Sequence, residues 1–471
     1  MMARPPPRRR KAKLRMPLTA THLNETLDTL TRDCGVPGAS LAVWNNGALT
    51  EAATGVCNLE TQVPVTSDTL FQIGSITKLY TSTLCLQLVE EGKLALDAPV
   101  RDTLPDFRVA DETVASQVTL RDLLSHRSGI EGDYFRDAGR GEDRIEKFVG
   151  LMSALGQVHA RGEMFSYCNT GFVAAGRMIE VADTRIWDKA VRARIAKPLG
   201  TPAFSTLPEQ AMRYQTAIGH LGQPGKLIVT PIAYLAQSNA PVGSTPMAKA
   251  RDVVAFARML MAGGTAADGT RLLTPESVAA MQTVNTVCPR NMNIDAIGLA
   301  TFMWDWDGDG TYEAFGHDGS TIGQAAWLRY HPASGTAFAL LTNGGNGKAM
   351  ADSLIRAVFS EAAGIAPPEL PAIDPAFRAD PARYEGRFAN TMETIEVTVE
   401  EGRLVATSHP APDYAVIAGG PKRVELDAVN AELFLGTAPG MTLPQTYHFL
   451  GSDNEARARW LHQGARAHKR V

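Results

Sequence analysis

Hydrophobic and polar positions follow three different patterns along this chain of 471 residues. Residues 21–33 place leucines at helical spacing, which predicts an amphipathic helix. Residues 38–44 and 49–56 are short apolar runs on either side of an Asn-Asn-Gly turn, and they predict a β-hairpin. Residues 75–91 are apolar over most of the helical surface and are followed by Gly92, a typical stop. This last pattern predicts a helix buried in the middle of a domain.

The centre of the chain has a helical pattern, whereas strand patterns return towards its end. Residues 120–264 are mainly helical with long loops, and residues 324–330 and 336–342 read as strands around a HPASG turn. Residues 353–362 then predict another helix. Two sheet-forming ends that enclose a helical middle predict an α/β (α+β) fold. Its antiparallel sheet is flanked by helices, and a helical insertion spans about residues 110–290.

The last hundred residues predict a separate unit. Residues 366–375 are proline-rich and are interpreted as a linker. Residues 393–408 alternate between apolar and polar positions around a Glu-Gly turn, as two paired strands do. A chain of this length exceeds one ordinary core. We therefore expect a main domain over residues 17–365 and a small antiparallel β-domain over residues 376–471.

Composition narrows the partners and the compartment. Apolar residues make up 44%, charged residues 20%, and the net charge is -4, so no global basic field favours nucleic acid. We find no apolar stretch long enough to cross a bilayer. Residues 1–16 are basic and proline-rich without the apolar run of a secretory signal, which predicts a disordered extension; a nucleic-acid-binding arm is the alternative. Five widely spaced cysteines without a CxxC pair favour a reducing cytoplasm, with neither a disulfide framework nor a zinc site.

A serine and a lysine at the start of the buried helix form the first chemical element. Ser75 and Lys78 are three residues apart, so on a helix both side chains lie on one face. A neutral lysine could take the serine proton, provided that burial or a nearby cation lowers its pKa. The helix N-terminus would favour negative charge developing at Ser75. The structural alternative is a capping serine beside a solvated lysine.

Two later segments could complete such a site. Tyr167 beside a lysine cation could ionise more easily and move protons, and Asn169 could orient a lysine and a substrate amide together. Their structural alternative is a buried tyrosine and a turn-forming asparagine. Residues 317–320 precede a strand and contain a glycine, which lets a strand approach a substrate closely. Such an edge could also supply backbone donors to an oxyanion.

Several blocks together resemble the superfamily of serine β-lactamases and penicillin-binding proteins. The resemblance covers about residues 20–365 and is closest to the class C β-lactamase-like esterases, D-aminopeptidases and related serine peptidases. The blocks, in the family's order, are FQIGSITKLYTS around Ser75, LRDLLSHRSGI at 120–130, FSYCNTGF around Tyr167, RLLTPESVAAM at 271–281 and FGHDGSTIGQAAWLRYHPASG at 315–335.

The resemblance implies a role for each matching residue. Ser75 would be the nucleophile of an acyl-enzyme mechanism, and Lys78 and Tyr167 would share the proton transfers. Asn169 would orient Lys78 and the substrate, while the backbone N–H groups of Ser75 and Ser320 would form the oxyanion hole. No metal or cofactor is implied. The resemblance also implies that the C-terminal domain is a small β-barrel or lipocalin-like unit, as on some of the peptidases.

One departure from the family bears on the substrate. The penicillin-recognising branch has Lys-Thr-Gly where this chain has His317, Asp318 and Gly319. An anionic Asp318 would repel the carboxylate of a β-lactam. We therefore expect a peptidase or amidase for short or unusual peptides, with D-residues or from linearised cycles. The alternatives are a carboxylesterase, a weak β-lactamase that holds the carboxylate with Arg329 or protonated His317, and a non-catalytic binding or sensor protein.

A rival motif lies at residues 305–310, whose sequence DWDGDG fits the start of a calcium-binding loop. The twelfth position of such a loop would be Gly316, where a bidentate glutamate is expected. A polar hairpin between two strands is a sufficient explanation, so no metal site is predicted.

Overall fold

The computed structural model describes residues 18–289, 294–412, 414–415, 420–439, 441 and 443–471, so the predicted N-terminal extension lies outside the described residues. Two β-structures organise these residues: an eight-stranded sheet and a closed eight-stranded barrel. Helices pack against the sheet, and the barrel follows it in the sequence. The predicted fold class, a mixed antiparallel sheet with flanking helices and a C-terminal β-domain, is confirmed.

The large sheet joins both ends of the main domain in the order β2-β1-β12-β11-β10-β9-β8-β7. All of its pairings are antiparallel, and Ala42 faces Ala339 across β1 and β12. The chain leaves this sheet after β2 and returns at β7. Its strands are β1 Gly38–Asn45, β2 Ala48–Gly55, β7 Thr286–Val287, β8 Ala296–Ile297, β9 Phe302–Trp304, β10 Ala314–Ser320, β11 Ala325–His331 and β12 Thr336–Thr342. Two small sheets pair β3 Phe71–Gln72 with β6 Met247–Ala248 and β4 His220–Leu221 with β5 Ile228–Val229.

Both faces of the large sheet are buried, and alternate residues of a strand belong to different cores. Leu41 and Leu340 pack with the first and last helices of the domain, whereas Ala42 and Leu341 pack with the helical insertion. The helices are α1 Ala20–Asp33, α2 Thr77–Glu90, α3 Val100–Thr103, α4 Glu112–Gln117, α5 Leu120–Leu124, α6 Arg144–Leu151, α7 Asn169–Asp183, α8 Trp187–Val191, α9 Pro208–Ala211, α10 Ala250–Met261, α11 Pro275–Met281, α12 Gly347–Ala362 and α13 Pro381–Tyr384. Short 3₁₀ turns occur at Gly74–Ile76, Met152–Ala154, Gln237–Val242 and Pro332–Ser334, and a π-turn at Arg192–Ala196.

Helix α2 is buried on every side, as its uniformly apolar pattern predicts. Every residue from Thr77 to Leu88 is buried, polar ones included. The helix packs against α7 and against the 3₁₀ segment that ends at Val242. Thr81 donates a hydrogen bond to the carbonyl of Pro241 over 2.8 Å, which fixes α2 relative to that segment. Lys78, the second residue of this helix, is fully buried and has no direct route to solvent.

The barrel consists of eight antiparallel strands in sequence order, and the first strand pairs with the last. This is an up-and-down barrel, whose closure removes free strand edges. Aromatic and aliphatic side chains such as Phe388, Phe434 and Phe449 fill its interior. The strands are β13 Gly386–Ala389, β14 Glu393–Glu400, β15 Arg403–Pro410, β16 Lys422–Ala428, β17 Leu433–Gly436, β18 Gln445–Leu450, β19 Trp460–Gln463 and β20 Arg466–Arg470.

Candidate active site

Ser75 and Lys78 lie together beneath the end of strand β10. Ser75 lies in the 3₁₀ turn Gly74–Ile76, and the α-helix proper begins two residues later at Thr77. Lys78 Nζ donates a hydrogen bond to Ser75 Oγ over 2.9 Å and another to the Val242 carbonyl over 3.0 Å. The lysine is therefore held on the serine hydroxyl, in hydrogen-bonding range for a proton transfer.

The surroundings of Lys78 favour its neutral form. Burial lowers the pKa of Lys78 well below its usual value, and the positive charge of Arg466 lowers it further. Asp133 and Cys168 act in the opposite direction but do not outweigh burial. A buried amine with a lowered pKa is available as a base at a lower pH than an exposed lysine.

Tyr167 is the second proton-handling residue predicted from the sequence, and it lies beside the same lysine. Its ring centroid is 4.9 Å from Lys78 Nζ. Burial raises the pKa of Tyr167 far above its usual value, although the nearby hydroxyl of Ser75 and the charge of Arg466 counter part of this effect. The expectation that a lysine cation would ease ionisation of this phenol is therefore corrected. A buried phenol next to a neutral amine keeps its proton.

His126 supports Tyr167 from behind and was not predicted as a site residue. Its ring stacks on the Tyr167 ring with centroids 4.2 Å apart, and its Nδ1 accepts the backbone N–H of Cys168 over 2.9 Å. The His126 carbonyl also accepts the N–H of Ser166. Burial lowers the pKa of His126 well below its usual value. Its place within the LRDLLSHRSGI block was the available signal.

Three glycines let the backbone close tightly around Ser75. A Cβ on Gly319 would lie 2.0 Å from the Ile73 carbonyl oxygen and 2.9 Å from the Ser75 nitrogen. A Cβ on Gly74, whose φ is +49°, would lie 2.5 Å from the Ser320 nitrogen. Gly243 makes the same kind of approach to the carbonyl of Gly74. The end of β10 therefore meets the Ser75 turn backbone to backbone, and it brings the nitrogens of residues 75 and 320 to one region.

His317 is buried against the same group of side chains. Its Nδ1 lies 2.5 Å from the Asp318 carbonyl oxygen, and its ring stacks on Phe302 with centroids 3.9 Å apart. Burial first, and then the charges of Lys78 and Arg329, lower the pKa of His317 well below its usual value. His317 is therefore uncharged and is a poor anchor for a carboxylate. This counts against the alternative in which protonated His317 holds the carboxylate of a β-lactam. With Nδ1 as the donor, the buried Nε2 is an acceptor.

Asp318 is not the unpaired anion that the sequence suggested. Arg329 Nη1 lies 2.5 Å from Asp318 Oδ1, and the Arg329 guanidinium lies 3.8 Å from the ring centroid of Trp304. Gly316 is the register partner of Arg329 across β10 and β11. Asp318 lies two residues further along β10, so its side chain is on the same face of the sheet as that of Arg329. The ion pair weakens the field that was expected to repel carboxylates.

Asn169 lies at the start of α7, but its amide points to a different partner than expected. Asn169 Nδ2 donates to Asp133 Oδ1 over 2.6 Å. Among the described residues we find no hydrogen bond between Asn169 and Lys78. The expected direct orientation of the lysine is therefore replaced by a contact with the carboxylate whose charge acts on Lys78.

Arg466 comes from the barrel and was missed entirely from the sequence. Its Nε lies 2.7 Å from Asp133 Oδ2, its Nη2 lies 3.1 Å from Asp133 Oδ1, and its Cζ is 4.8 Å from the Tyr167 ring centroid. The N–H of Tyr167 donates to the carbonyl of Ala465 over 2.9 Å. The turn between β19 and β20 is consequently part of the site. No local motif around Arg466 announces this role.

The acidic loop forms a cluster away from these residues. Carboxylate oxygens of Asp305, Asp307 and Glu313 lie within 4.8 Å of one another. They also accept N–H groups of their own loop, for instance Gly308 to Asp305 over 2.8 Å. These hydrogen bonds account for the convergence of the carboxylates in a polar turn between β9 and β10.

A buried lysine on a serine hydroxyl, a protonated tyrosine and two converging backbone nitrogens are the parts of a serine hydrolase that forms an acyl-enzyme. Residues 23–363 match the Beta-lactamase family model, and the chain belongs to this family. It is a serine hydrolase. In the part of the chain that the structure describes, no helix is long and apolar enough to span a membrane.

Individual relatives match from about three quarters to nearly all of this chain. Penicillin-binding protein 4 of Amycolatopsis lactamdurans is 42% identical over 359 residues, which cover 75% of this chain and 93% of the relative. The crystal structure of SurE with D-Leu is 28% identical, covers 96% of this chain and 99% of that one, and has a TM-score of 0.74. A D-stereospecific amidohydrolase from Streptomyces sp. is 26% identical, with coverage of 73% and 99% and a TM-score of 0.57.

Proposed function

We propose that this protein is an amidase or peptidase that forms an acyl-enzyme on Ser75 and acts on short peptides or amides containing a D-residue. The hydrogen bond from the buried Lys78 to Ser75 Oγ carries the proposal, because it joins a nucleophile to a base with a lowered pKa. Similarity to a structure solved with D-Leu and to a D-stereospecific amidohydrolase supports a substrate with a D-residue.

The proposed reaction divides the proton transfers according to the two pKa shifts. Neutral Lys78 takes the hydroxyl proton as Ser75 Oγ attacks the substrate carbonyl. The backbone N–H groups of Ser75 and Ser320 then stabilise the oxyanion. Tyr167, kept protonated by burial, donates its proton to the leaving nitrogen, and the Lys78 ammonium returns a proton to the phenolate. Water then attacks the acyl-enzyme ester, and the same groups transfer the protons in the reverse direction. This step releases the carboxylic acid product and restores the Ser75 hydroxyl.

The substrate side of the site favours neutral groups. Asp318 and Arg329 are committed to each other, and His317 presents an uncharged ring to the site. A carboxylate finds no uncommitted cation on β10 or β11, because Arg329 is paired with Asp318. The lack of an unpaired cation therefore favours amides over β-lactams as substrates. Carboxylesterase activity uses the same acyl-enzyme and differs only in needing less help from Tyr167 at the leaving group.

A second candidate is acylation by a β-lactam, which the name of the relative from Amycolatopsis lactamdurans favours. Arg466 is the cation that could meet the β-lactam carboxylate, because it lies over Tyr167. It is already paired with Asp133, so binding a second carboxylate would weaken that pair. We therefore expect penicillins and cephalosporins to acylate Ser75 slowly.

Intact mass spectrometry combined with kinetics tests the proposal. A fluorophosphonate should add one adduct to the wild type and to Ser82→Ala, a control serine on the same helix that donates to the Leu299 carbonyl, but none to Ser75→Ala. The amide of D-phenylalanine should be hydrolysed faster than its L-isomer and faster than nitrocefin. Failure of the probe to label Ser75 would favour the hypothesis of a non-catalytic binding protein. Faster turnover of nitrocefin than of the amide would favour a β-lactamase.

We also propose a reducing cytoplasm as the compartment. All five cysteines lie in the described part of the chain and are unpaired thiols, four of them buried. Cell fractionation of its natural source should recover the protein with the cytoplasmic fraction, and non-reducing mass spectrometry should give the fully reduced mass.

A further inference from the structure

The barrel contains a cavity at the end that faces the main domain. Its volume is about 330 Å³, within the range of small-ligand pockets. We call it the mouth cavity. An eight-stranded barrel is just wide enough to hold one small ligand inside. The cavity is lined by the apolar Ile395, Ala406 and Val424 and by the polar Asn390, Ser408 and Gln463.

This lining suits a peptide. Apolar side chains inside the barrel offer a surface for side chains of a ligand, whereas the amide and hydroxyl groups can meet backbone N–H and C=O groups. The charged lining residues are Glu393, Lys422 and Arg466; Arg466 is paired with Asp133, which leaves one charge of each sign on the wall and no strong preference for an anion or a cation. A neutral chain with alternating polar and apolar groups matches it better than a phosphate or a fatty acid.

The mouth cavity shares a wall residue with the active site. Arg466 lines the cavity, and its guanidinium lies over the Tyr167 ring. Contacts on either side hold the barrel at this place: Thr391 Oγ1 donates to Glu131 over 3.1 Å, and the Ala467 N–H donates to Ser166 Oγ over 3.2 Å. A chain that leaves the site past Tyr167 and Arg466 would therefore enter the barrel.

We propose that the mouth cavity binds the segment of a peptide substrate that follows the scissile bond. Tyr167 protonates the leaving nitrogen in the proposed mechanism, so the groups beyond it, starting with Arg466, lie on the leaving-group side. This inference rests on the proposed function, and it makes the barrel a selector for leaving-group length. Substrates with several residues after the scissile bond gain contacts that a simple amide lacks.

Filling the cavity tests the inference. Ser408 points into the barrel with Ala406, whereas its neighbour Thr407 points outward beside the exposed Glu396 and Arg423. Ser408→Phe fills the cavity, Thr407→Phe adds the same ring outside, and Ser408→Ala removes only the hydroxyl. The substrates are one N-acyl-D-alanine carrying an amide or a leaving peptide of one to four residues, and a second series extended on the acyl side. Hydrolysis is followed by mass spectrometry, and melting curves of each variant report folding.

We expect kcat/KM of the wild type to rise with leaving-group length. Ser408→Phe should abolish that rise, a loss of about tenfold on the longest leaving peptide, with the simple amide and the acyl-side series unchanged. Thr407→Phe should behave like the wild type, and Ser408→Ala should keep the rise with leaving-group length, reduced only by the loss of one hydroxyl contact. An equal loss on all substrates, a loss confined to the acyl-side series, or no effect of filling would overturn the inference. Absence of any turnover together with an unlabelled Ser75 would instead overturn the proposed function.

Discussion

Arg466 and Asp133 should tune the base of this hydrolase in opposite directions. The charge of Arg466 lowers the pKa of Lys78, and the charge of Asp133 raises it. Arg466→Met removes the cation, so the Lys78 pKa should rise and the acidic limb of the pH profile of kcat/KM should move to higher pH. Asp133→Asn should move the same limb to lower pH. Arg466→Lys keeps the positive charge and should leave the limb near its wild-type position.

The same substitutions should differ in their cost to stability. Asp133 is buried, and without Arg466 its only remaining side-chain partner of those described for it is the Asn169 amide. Leaving one member of a buried ion pair typically costs 3–5 kcal/mol, and water reaches Arg466 because 28% of its side chain is exposed. We therefore expect Arg466→Met to lower the free energy of unfolding by about 3 kcal/mol. The double variant Arg466→Met/Asp133→Asn leaves no unpaired charge and should recover most of that loss.

Two measurements test the predicted shifts of the pH profile and the predicted losses of stability. Pre-steady-state acylation of Ser75 followed against pH gives the limb of the chemical step, and urea unfolding gives the stability. Shifts of the same sign for Arg466→Met and Asp133→Asn would refute the electrostatic reasoning, because a general loosening of the site moves both variants alike. A limb that follows neither variant would mean that Lys78 is not the titrating base.

Four further outcomes follow from single contacts. Tyr167→Phe should slow acylation by about 10²–10⁴-fold, measured with a D-residue anilide, since a positioned proton donor is lost. Gly319→Ala should lower kcat/KM by at least about 10²-fold because its Cβ meets the Ile73 carbonyl, whereas Gly150→Ala, which has open space, should be neutral. Burial lowers the pKa of His448 to about 4, so the folded state binds fewer protons than the unfolded state at acid pH; as pH falls from about 6.5 to about 4, the free energy of unfolding from urea titrations should fall by about 3 kcal/mol less in His448→Leu than in the wild type. EDTA should leave activity unchanged, and a loss restored by calcium would make the 305–313 loop a functional site instead.

Local sequence patterns were sufficient for much of the main domain. The predicted helix over residues 21–33 is Ala20–Asp33, and the strand over residues 336–342 has those same ends. The helix buries one face, so its period reveals it, whereas the strand is buried on both faces and is revealed by a continuous apolar run after a turn. In the barrel, the strands Glu393–Glu400 and Arg403–Pro410 were recognised from the alternation of apolar and polar positions.

Strands β13, β16, β19 and β20 of the barrel gave no usable signal. Strand β20 reads RAHKR and contains three basic residues, a composition typical of an exposed loop. It forms a strand because β13 and β19 supply partners on both sides, and Arg470 donates to backbone carbonyls such as that of Ala458 over 2.6 Å. Closure of a barrel is a property of all eight strands, so no single strand needs to carry the pattern.

The sequence by itself determined that Ser75 and Lys78 meet, because a spacing of three residues places two side chains on the same face of a helical turn. The order of the sequence blocks also indicated that Tyr167 and the glycine-bearing strand β10 belong to the same site. The tertiary structure alone decided the charges around them: Arg329 neutralises Asp318, and Arg466 reaches Asp133 from a domain more than three hundred residues further along. Coulomb interactions and desolvation depend on distance and burial in space, and neither quantity is encoded in spacing along the chain.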